Sequence, residues 1–298
     1  MAEFWQQVVD GLATGGIYAS LALAIVLIYR STRVINFAQG ELATFSTFIA
    51  WQLIDWGVPF WGAFFLTLAI SFAGGVAIER VVIRPIEGAP VLTIVMVTLG
   101  LLILLNGATG WIWGSETRPF PSAFSTRPIS IGGVAFSIQE FGFIGVSLGA
   151  VALLYLLFQF TKVGLGLRSA AIAPQASRLL GVRVSWMLAL GWGLAAMLGA
   201  LSGMMTAPTA FLDPNMMQGV LLYALAAAVL GGLESPLGAV VGGLALGVAL
   251  NLIGTYSDRV IHVDLGGQMR LVAGLAIILS VLLLRPTGLF GRAVARKV

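Results

Sequence analysis

Three polar side chains, Asn36, Gln39 and Glu41, fall within six residues of one another between two long apolar runs. Two amides and a carboxylate could hold a small polar solute by hydrogen bonds and charge, or could simply start a helix. Asn36 followed three residues later by Gln39 has the spacing of a capping box, with Gln39 reaching back to the cap. Glu41 then lies in the first turns, where the helix dipole favours a negative charge. That reading explains the residue types but not their depth. Only about ten residues run from Leu42 to Trp51, half of the roughly twenty that a span needs. A crossing helix must therefore carry Phe37 to Glu41 into the membrane. Polar groups at that depth are tolerated against other helices or a watery cavity, and a carboxylate there points to function. Helix start and pathway wall both remain open.

A second constellation, "GGLESP" over Gly231–Pro236, interrupts the apolar stretches Val220–Leu233 and Leu237–Tyr256. Two glycines, a glutamate and a proline break any continuous helix. The first arm, about 14 residues, falls short of a crossing. This predicts a bend inside the membrane, where two helix ends aim amides and carbonyls at one point. A tight turn at the membrane face is the alternative. The candidate pathway residues are therefore Asn36, Gln39, Glu41, Gly231, Gly232, Glu234 and Ser235.

The remaining chemistry is sparse. Cysteine is absent, which excludes disulfides, thiolate nucleophiles and thiolate metal sites. The single histidine, His262, stands alone in a polar loop. Neither Lys162 nor Lys297 follows a glycine, so no phosphate-binding Gly-Lys-Ser/Thr loop exists and the chain hydrolyses no ATP by itself. No catalytic residue, metal site or cofactor is expected. An ion-driven carrier would want carboxylates within several spans. Glu41 and Glu234 come nearest, with Asn106 and Asn251 as neutral candidates.

These residues sit in a chain of 298 residues that is 59% hydrophobic and 9% charged, with mean hydropathy +1.00. Soluble domains carry about 25% charged residues, so this is an all-α polytopic membrane protein, read as one transmembrane domain over residues 1–298. Hydropathy suggests spans near Leu12–Tyr29, Phe37–Ile54, Phe60–Val82, Val91–Trp113, Ile138–Phe160 and Met187–Pro208. The broken pair and a last span, Leu271–Leu284, bring the count to about eight or nine. No Lys or Arg precedes the first apolar run, so that span is expected to be retained rather than cleaved.

Orientation follows from basic residues. With the N-terminus outside, Arg30, Arg33, Arg80, Arg84, Lys162, Arg168, Arg178, Arg183, Arg285, Arg292, Arg296 and Lys297 face the cytoplasm. Only Arg118, Arg127, Arg259 and Arg270 remain outside. Twelve against four predicts N-out and C-in. These cytoplasmic basic rims account for the net charge of +4 without a nucleic-acid partner. Small residues at four-residue spacing, such as Gly191, Ala195, Gly199 and Gly203, predict close helix packing; Gly11, Gly15 and Ala19 and the set Ala239, Gly243 and Gly247 repeat the pattern.

The longest cytoplasmic connection, "KVGLGLRSAAIAPQASRLLGVRVSW", predicts a short helix from Pro174 to about Leu180, ended by Gly181. An exposed Leu179-Leu180 pair suits either a partner's groove or the membrane surface.

Three ordered stretches, "GGIYASLALAIVLIYRSTRVINFAQGE", "RSAAIAPQASRLLGVRVSW" and "AAAVLGGLESPLGAVVGGLALG", resemble the permease subunits of bacterial branched-chain amino-acid ABC importers, nearest the shorter, Liv H type. The resemblance covers nearly the whole chain. It implies a second permease subunit, two cytoplasmic ATPase subunits, a periplasmic or extracellular binding protein, and an amino-acid, amide or urea substrate moved inward across the bacterial inner membrane. It also implies ATPase coupling through Arg178, Leu179, Leu180 and Gly181. The chain departs from the family pattern at Gln39, around Pro174–Gln175 and at Glu234. A secondary carrier driven by an ion gradient is the rival reading.

Overall fold

The computed structural model describes residues 2–125, 127–131, 134–261, 266–285 and 288–291; His262 lies outside them. Its helices are α1 (Ala2–Thr32), α2 (Gln39–Asp55), α3 (Phe60–Ile78), α4 (Val91–Trp113), α5 (Ile138–Phe160), α6 (Lys162–Ile172), α7 (Pro174–Leu179), α8 (Val184–Ala210), α9 (Met216–Gly231), α10 (Pro236–Ile261) and α11 (Gly266–Leu284). A π-helical turn, Glu79–Ile83, and a 3-10 turn, Arg84–Ile86, extend α3. Among the described residues the departures from all-α structure are an isolated antiparallel bridge between Arg118 and Leu212 and a small antiparallel hairpin. There β1 (Pro128–Ile131) pairs with β2 (Val134–Ser137), Pro128 opposite Ser137.

Among the described residues six helices are long and apolar enough to cross a membrane: α1, α3 with its extension, α4, α5, α8 and α10. The shorter α2, α9 and α11 complete the eight to nine expected spans. The bounds of α4 and α5 match those read from hydropathy, while α1 and α10 run further than their apolar stretches.

Burial divides the helices. In α1 and α8, 89% and 72% of the most apolar window is enclosed, against 28%, 22% and 17% in α3, α4 and α5. A helix apolar all round belongs either in a protein centre or against lipid, and the two groups take these two places. What brings α1 against α10 is the absence of a side chain at Gly11 and Gly15. A Cβ added to Gly11 would meet the Val248 Cα at 2.6 Å, and one at Gly15 would meet the Gly243 carbonyl oxygen at 2.9 Å. Thus α1 and α10 run antiparallel at near-backbone contact, as small-residue stripes allow.

Two helices begin inside the bundle rather than at its surface. The ends of α1 and α3 and the start of α8 lie together: Arg84 Nη2 donates to Ser185 Oγ at 2.9 Å, and Ser31, Thr32, Arg84, Glu87 and Leu188 line one cavity. From this basic end residues 33–38 return inward before α2 starts. Beyond α8, residues 211–215 do the same from the opposite end before α9. Arg33 and Phe211, each at φ 59°, are the two non-glycine residues with positive φ among those described. Each makes the sharp reversal by which its link leaves the preceding helix.

Candidate functional site

Asn36 and Gln39 are fully buried and Glu41 is 2% exposed. The capping box expected of them does not form. The cap of α2 is Ala38, with no side-chain capping bond. Asn36 Oδ1 instead accepts from the Ala38 amide at 3.0 Å, and Asn36 Nδ2 donates to Gln39 Oε1 at 3.3 Å. Gln39 cannot serve the Asn36 backbone because its Nε2 donates across the bundle to the Ala195 carbonyl of α8 at 2.9 Å. Gly199 makes this possible, since a Cβ there would stand 2.7 Å from Gln39 Nε2. The small-residue stripe of α8 therefore receives α2 at Gly199 and Gly203, whereas Gly191 meets nothing within 4 Å. The short box appears at α5 instead, where Ser137 Oγ accepts from the Gln139 amide and the Glu140 carboxylate accepts from the Ser137 amide.

The start of α2 does lie deep in the bundle. Gln39 reaches Ala195, a Cβ on Gly40 would touch Leu221 and the Met217 carbonyl, and Glu41 reaches Asn106. At about 1.5 Å per residue, Ala195 lies roughly 16 Å into α8, Asn106 roughly 22 Å into α4 and Met217 roughly 21 Å back from the end of α9. A bilayer core measures about 30 Å. The start of α2 is therefore about midway through the bundle.

There Glu41 heads a polar array. Its Oε2 accepts from Asn106 Nδ2 at 3.2 Å, and Gln218 is a second side-chain partner, with Asp213 near enough to act on it electrostatically. Asn106 Nδ2 also meets the Pro214 carbonyl at 3.1 Å and Asn215 Oδ1 at 3.0 Å. Gln218 Nε2 donates to Asn215 Oδ1 at 2.9 Å, and Asp213 Oδ1 accepts from the Asn215 amide at 2.7 Å. The carboxylate of Glu41 is buried, Asn106 is half-buried, and Asn215 and Gln218 are exposed. The array thus opens outward between α4 and the start of α9. Its exposed rim, Asn215 and Gln218, presents amide groups to a polar solute, with the Glu41 carboxylate behind them. It offers no nucleophile, and no cluster of three metal-ligating side chains exists among the described residues.

Sequence reasoning named Asn106 only as a neutral candidate and missed Asp213, Asn215 and Gln218. Their signal was "LDPNMMQ" at 212–218, a run of polar residues pressed between two apolar stretches. Asn251, the other amide singled out, donates to Gln7 on α1 at its carbonyl and at Oε1 and stands apart from the array.

The structure separates Gly231, Gly232, Glu234 and Ser235 from this array. The expected bend between two half-helices inside the membrane is not found. Instead α10 is a continuous helix of 26 residues, and the link before it is a tight turn at the basic end. Gly232 takes φ 103°, the Ser235 amide donates to the Gly232 carbonyl at 2.9 Å, and Ser235 Oγ accepts from the Gly238 amide at 3.0 Å. The Arg33 guanidinium pairs with Glu234. The physical reason lies in Gly231, Gly238 and Gly242, which let α9 and α10 pack backbone to backbone. An antiparallel hairpin of that closeness needs its turn at the helix ends.

The short helix expected from Pro174 to about Leu180 forms, over Pro174–Leu179. Pro174 is its first residue, and Gly181 ends it at φ 81°. Leu179 and Leu180 are 89% and 84% exposed, while Ser177 carries the buried side. Arg178 pairs with Glu87 at 3.8 Å, beside the end of α3.

Known proteins resemble this chain from end to end. It is 30% identical to the high-affinity branched-chain amino acid transport system permease protein BraD of Pseudomonas aeruginosa, over 99% of this chain and 98% of that protein. To the corresponding protein LivH of Escherichia coli it is 28% identical, over the same shares. Among solved structures, PsaBC from Streptococcus pneumoniae in complex with Fab has a TM-score of 0.50 at 14% identity, covering 95% of this chain and 92% of that one; this likeness concerns the fold alone. The family model described as branched-chain amino acid transport system / permease component matches residues 7–284. An apolar bundle with one polar array at mid-depth suits such a component, and the chain belongs to that family of membrane transport permeases.

Proposed function

We propose that the chain is the permease subunit of an ATP-driven importer for branched-chain or related amino acids, with amides or urea as further candidates, and that the Glu41 array lines the route. The observation that carries this is the exposure of Asn215 and Gln218 at mid-depth, backed by a buried carboxylate. Such groups are costly against hydrocarbon, so this face is covered by protein or water in the working assembly. A second permease subunit meeting the chain along α4 and α9 would enclose a passage there. Asn36 and Gln39 hold the wall in position, and the Gly231–Ser235 turn forms its mouth at the basic end. Of the two ATPase subunits in the assembly, one docks at Arg178 to Gly181 of this chain, and a binding protein delivers substrate at the opposite end. The whole of residues 1–298 forms one permease domain, N-terminus outside and C-terminus cytoplasmic.

The test reconstitutes the chain with its partner subunits in vesicles and follows uptake of labelled leucine, isoleucine and valine. Uptake that needs ATP and the binding protein is expected. Uptake driven by an ion gradient alone would overturn the importer reading in favour of a secondary carrier.

A further inference from the structure

At the basic end, away from the Glu41 array, two cavities share one boundary. The first, about 450 Å³, is polar and is lined by Arg30, Arg33, Arg168, Glu234 and Ser235. The second, about 230 Å³, runs along the bundle between α1, α5 and α10, walled by Leu23, Leu27, Leu154, Phe158, Leu237 and Val240. Arg30, Arg168, Pro236 and Leu237 line both. Two guanidiniums thus stand where a charged chamber passes into an apolar cleft.

Charge in this chamber is not balanced. Among its described lining residues Glu234 is the only carboxylate against three guanidiniums, and it is engaged by Arg33. Arg30 is half-buried within electrostatic reach of Arg168, of Glu234 and of Arg33, so the one carboxylate is shared among three guanidiniums. Arg168 gives Nη1 to Gln159 Oε1 at 3.1 Å, but its Nε is buried with no hydrogen-bond partner among the described residues. Like charges held together, one of them with an orphaned donor, call for an anion. The cleft restricts which anion. Its mouth is open, since Tyr155 and Leu237 are 43% and 54% exposed, and the α5 surface beside it carries exposed Leu153 and Leu156. A free phosphate would fill the chamber and leave the cleft empty; a zwitterion would gain little from the excess of positive charge.

We propose that this composite cavity is a binding site for an anionic phospholipid, with the phosphodiester on Arg30 and Arg168 and one acyl chain in the α1–α5–α10 cleft. Basic pockets between membrane helices hold anionic headgroups in this way, and each buried CH₂ adds to the affinity. The site belongs to the fold of this chain and does not rest on the transport reading.

Native mass spectrometry of the full-length chain, delipidated in detergent and titrated with dioleoyl-phosphatidylglycerol, tests the site. One saturable site is expected, preferred over dioleoyl-phosphatidylcholine by roughly thirtyfold, the scale of two basic side chains at an anionic lipid. The double variant Arg30→Gln with Arg168→Gln should bind both lipids alike. Leu237→Trp, at an exposed position that leaves all three guanidiniums in place, should weaken phosphatidylglycerol by filling the cleft; it decides the matter even if the double variant fails to fold. Equal affinity for the two lipids, unchanged binding in Leu237→Trp, or displacement of the lipid by equimolar inorganic phosphate would each overturn the proposal, the last by marking a small-anion site.

Discussion

Glu41 and Gln39 stand two residues apart in α2 and carry different burdens. Gln39 bonds in both directions inside the protein, to Asn36 and to the Ala195 carbonyl. Gln39→Ala strands the buried Asn36 amide and opens a gap, which costs about 1–3 kcal/mol for the orphaned group alone. A lower folded yield and a lower unfolding temperature in detergent are the expected readouts. Glu41 bonds to side chains that reach the exposed face of the array. Its dipole contribution is worth only roughly 0.3–1 kcal/mol, and Glu41→Gln keeps an acceptor for Asn106. We expect Glu41→Gln to fold at normal yield and to lose most of its uptake, with Asn215→Ala behaving likewise. Parallel loss of yield and uptake in both variants would reduce the array to a structural cap. The sequence carried half of this distinction. The run of only about ten residues from Leu42 to Trp51 announced its depth, but the partner of Gln39 lies on α8, far along the chain, and no local spacing signals it.

At the scale of helices, packing depends on where side chains are missing. Gly15→Val would drive a branched side chain into the Gly243 carbonyl and the Leu244 backbone, both within 3.0 Å of the added Cβ. Backbone cannot move aside as a flexible side chain can, so the cost exceeds the 1–3 kcal/mol of ordinary overpacking, and loss of folded protein in expression assays is expected. At α7 the reverse holds. Leu180 is exposed, so Leu180→Asp should leave insertion and yield unchanged. If the helix docks in an ATPase groove, the variant should abolish ATP-dependent uptake while ATP hydrolysis continues; normal uptake would return α7 to the membrane surface. These elements were legible because composition and stops define them: Pro174 and Gly181 bracket α7, and α4 and α5 begin and end where hydropathy does. The Gly231–Pro236 turn was misread because a short arm has two explanations, a bend at depth or a partner helix close enough to need no more length. Gly238 and Gly242 decide for the second, and their meaning depends on which helix faces them.

For the whole molecule, twelve basic residues against four predict an orientation that the absence of cysteine makes simple to check. Ser115 and Ala173 are exposed at opposite ends of the bundle. In intact cells Ser115→Cys should react with a membrane-impermeant maleimide and Ala173→Cys should not; the inverse pattern would reverse the topology. Membrane class, helix order and the basic rim were all present in the composition and charge. The polar array was not, because it joins α2, α4 and the link before α9, segments separated by more than sixty residues at each step, and only tertiary folding brings them together.

The central position of α1 also constrains how the molecule is built. Of the helices described, α1 is the most enclosed, and its closest partner, α10, is synthesised more than two hundred residues after it. Until α10 is made, the Gly11–Gly15 surface lacks the backbone it packs against. The native packing is therefore dominated by a pairing of very high sequence separation, the kind that forms slowly and leaves intermediates vulnerable. Chains released before Pro236 should accumulate as inserted but loosely associated helices and be cleared by membrane proteases, whereas loss of residues beyond α11 leaves the α1–α10 seam intact.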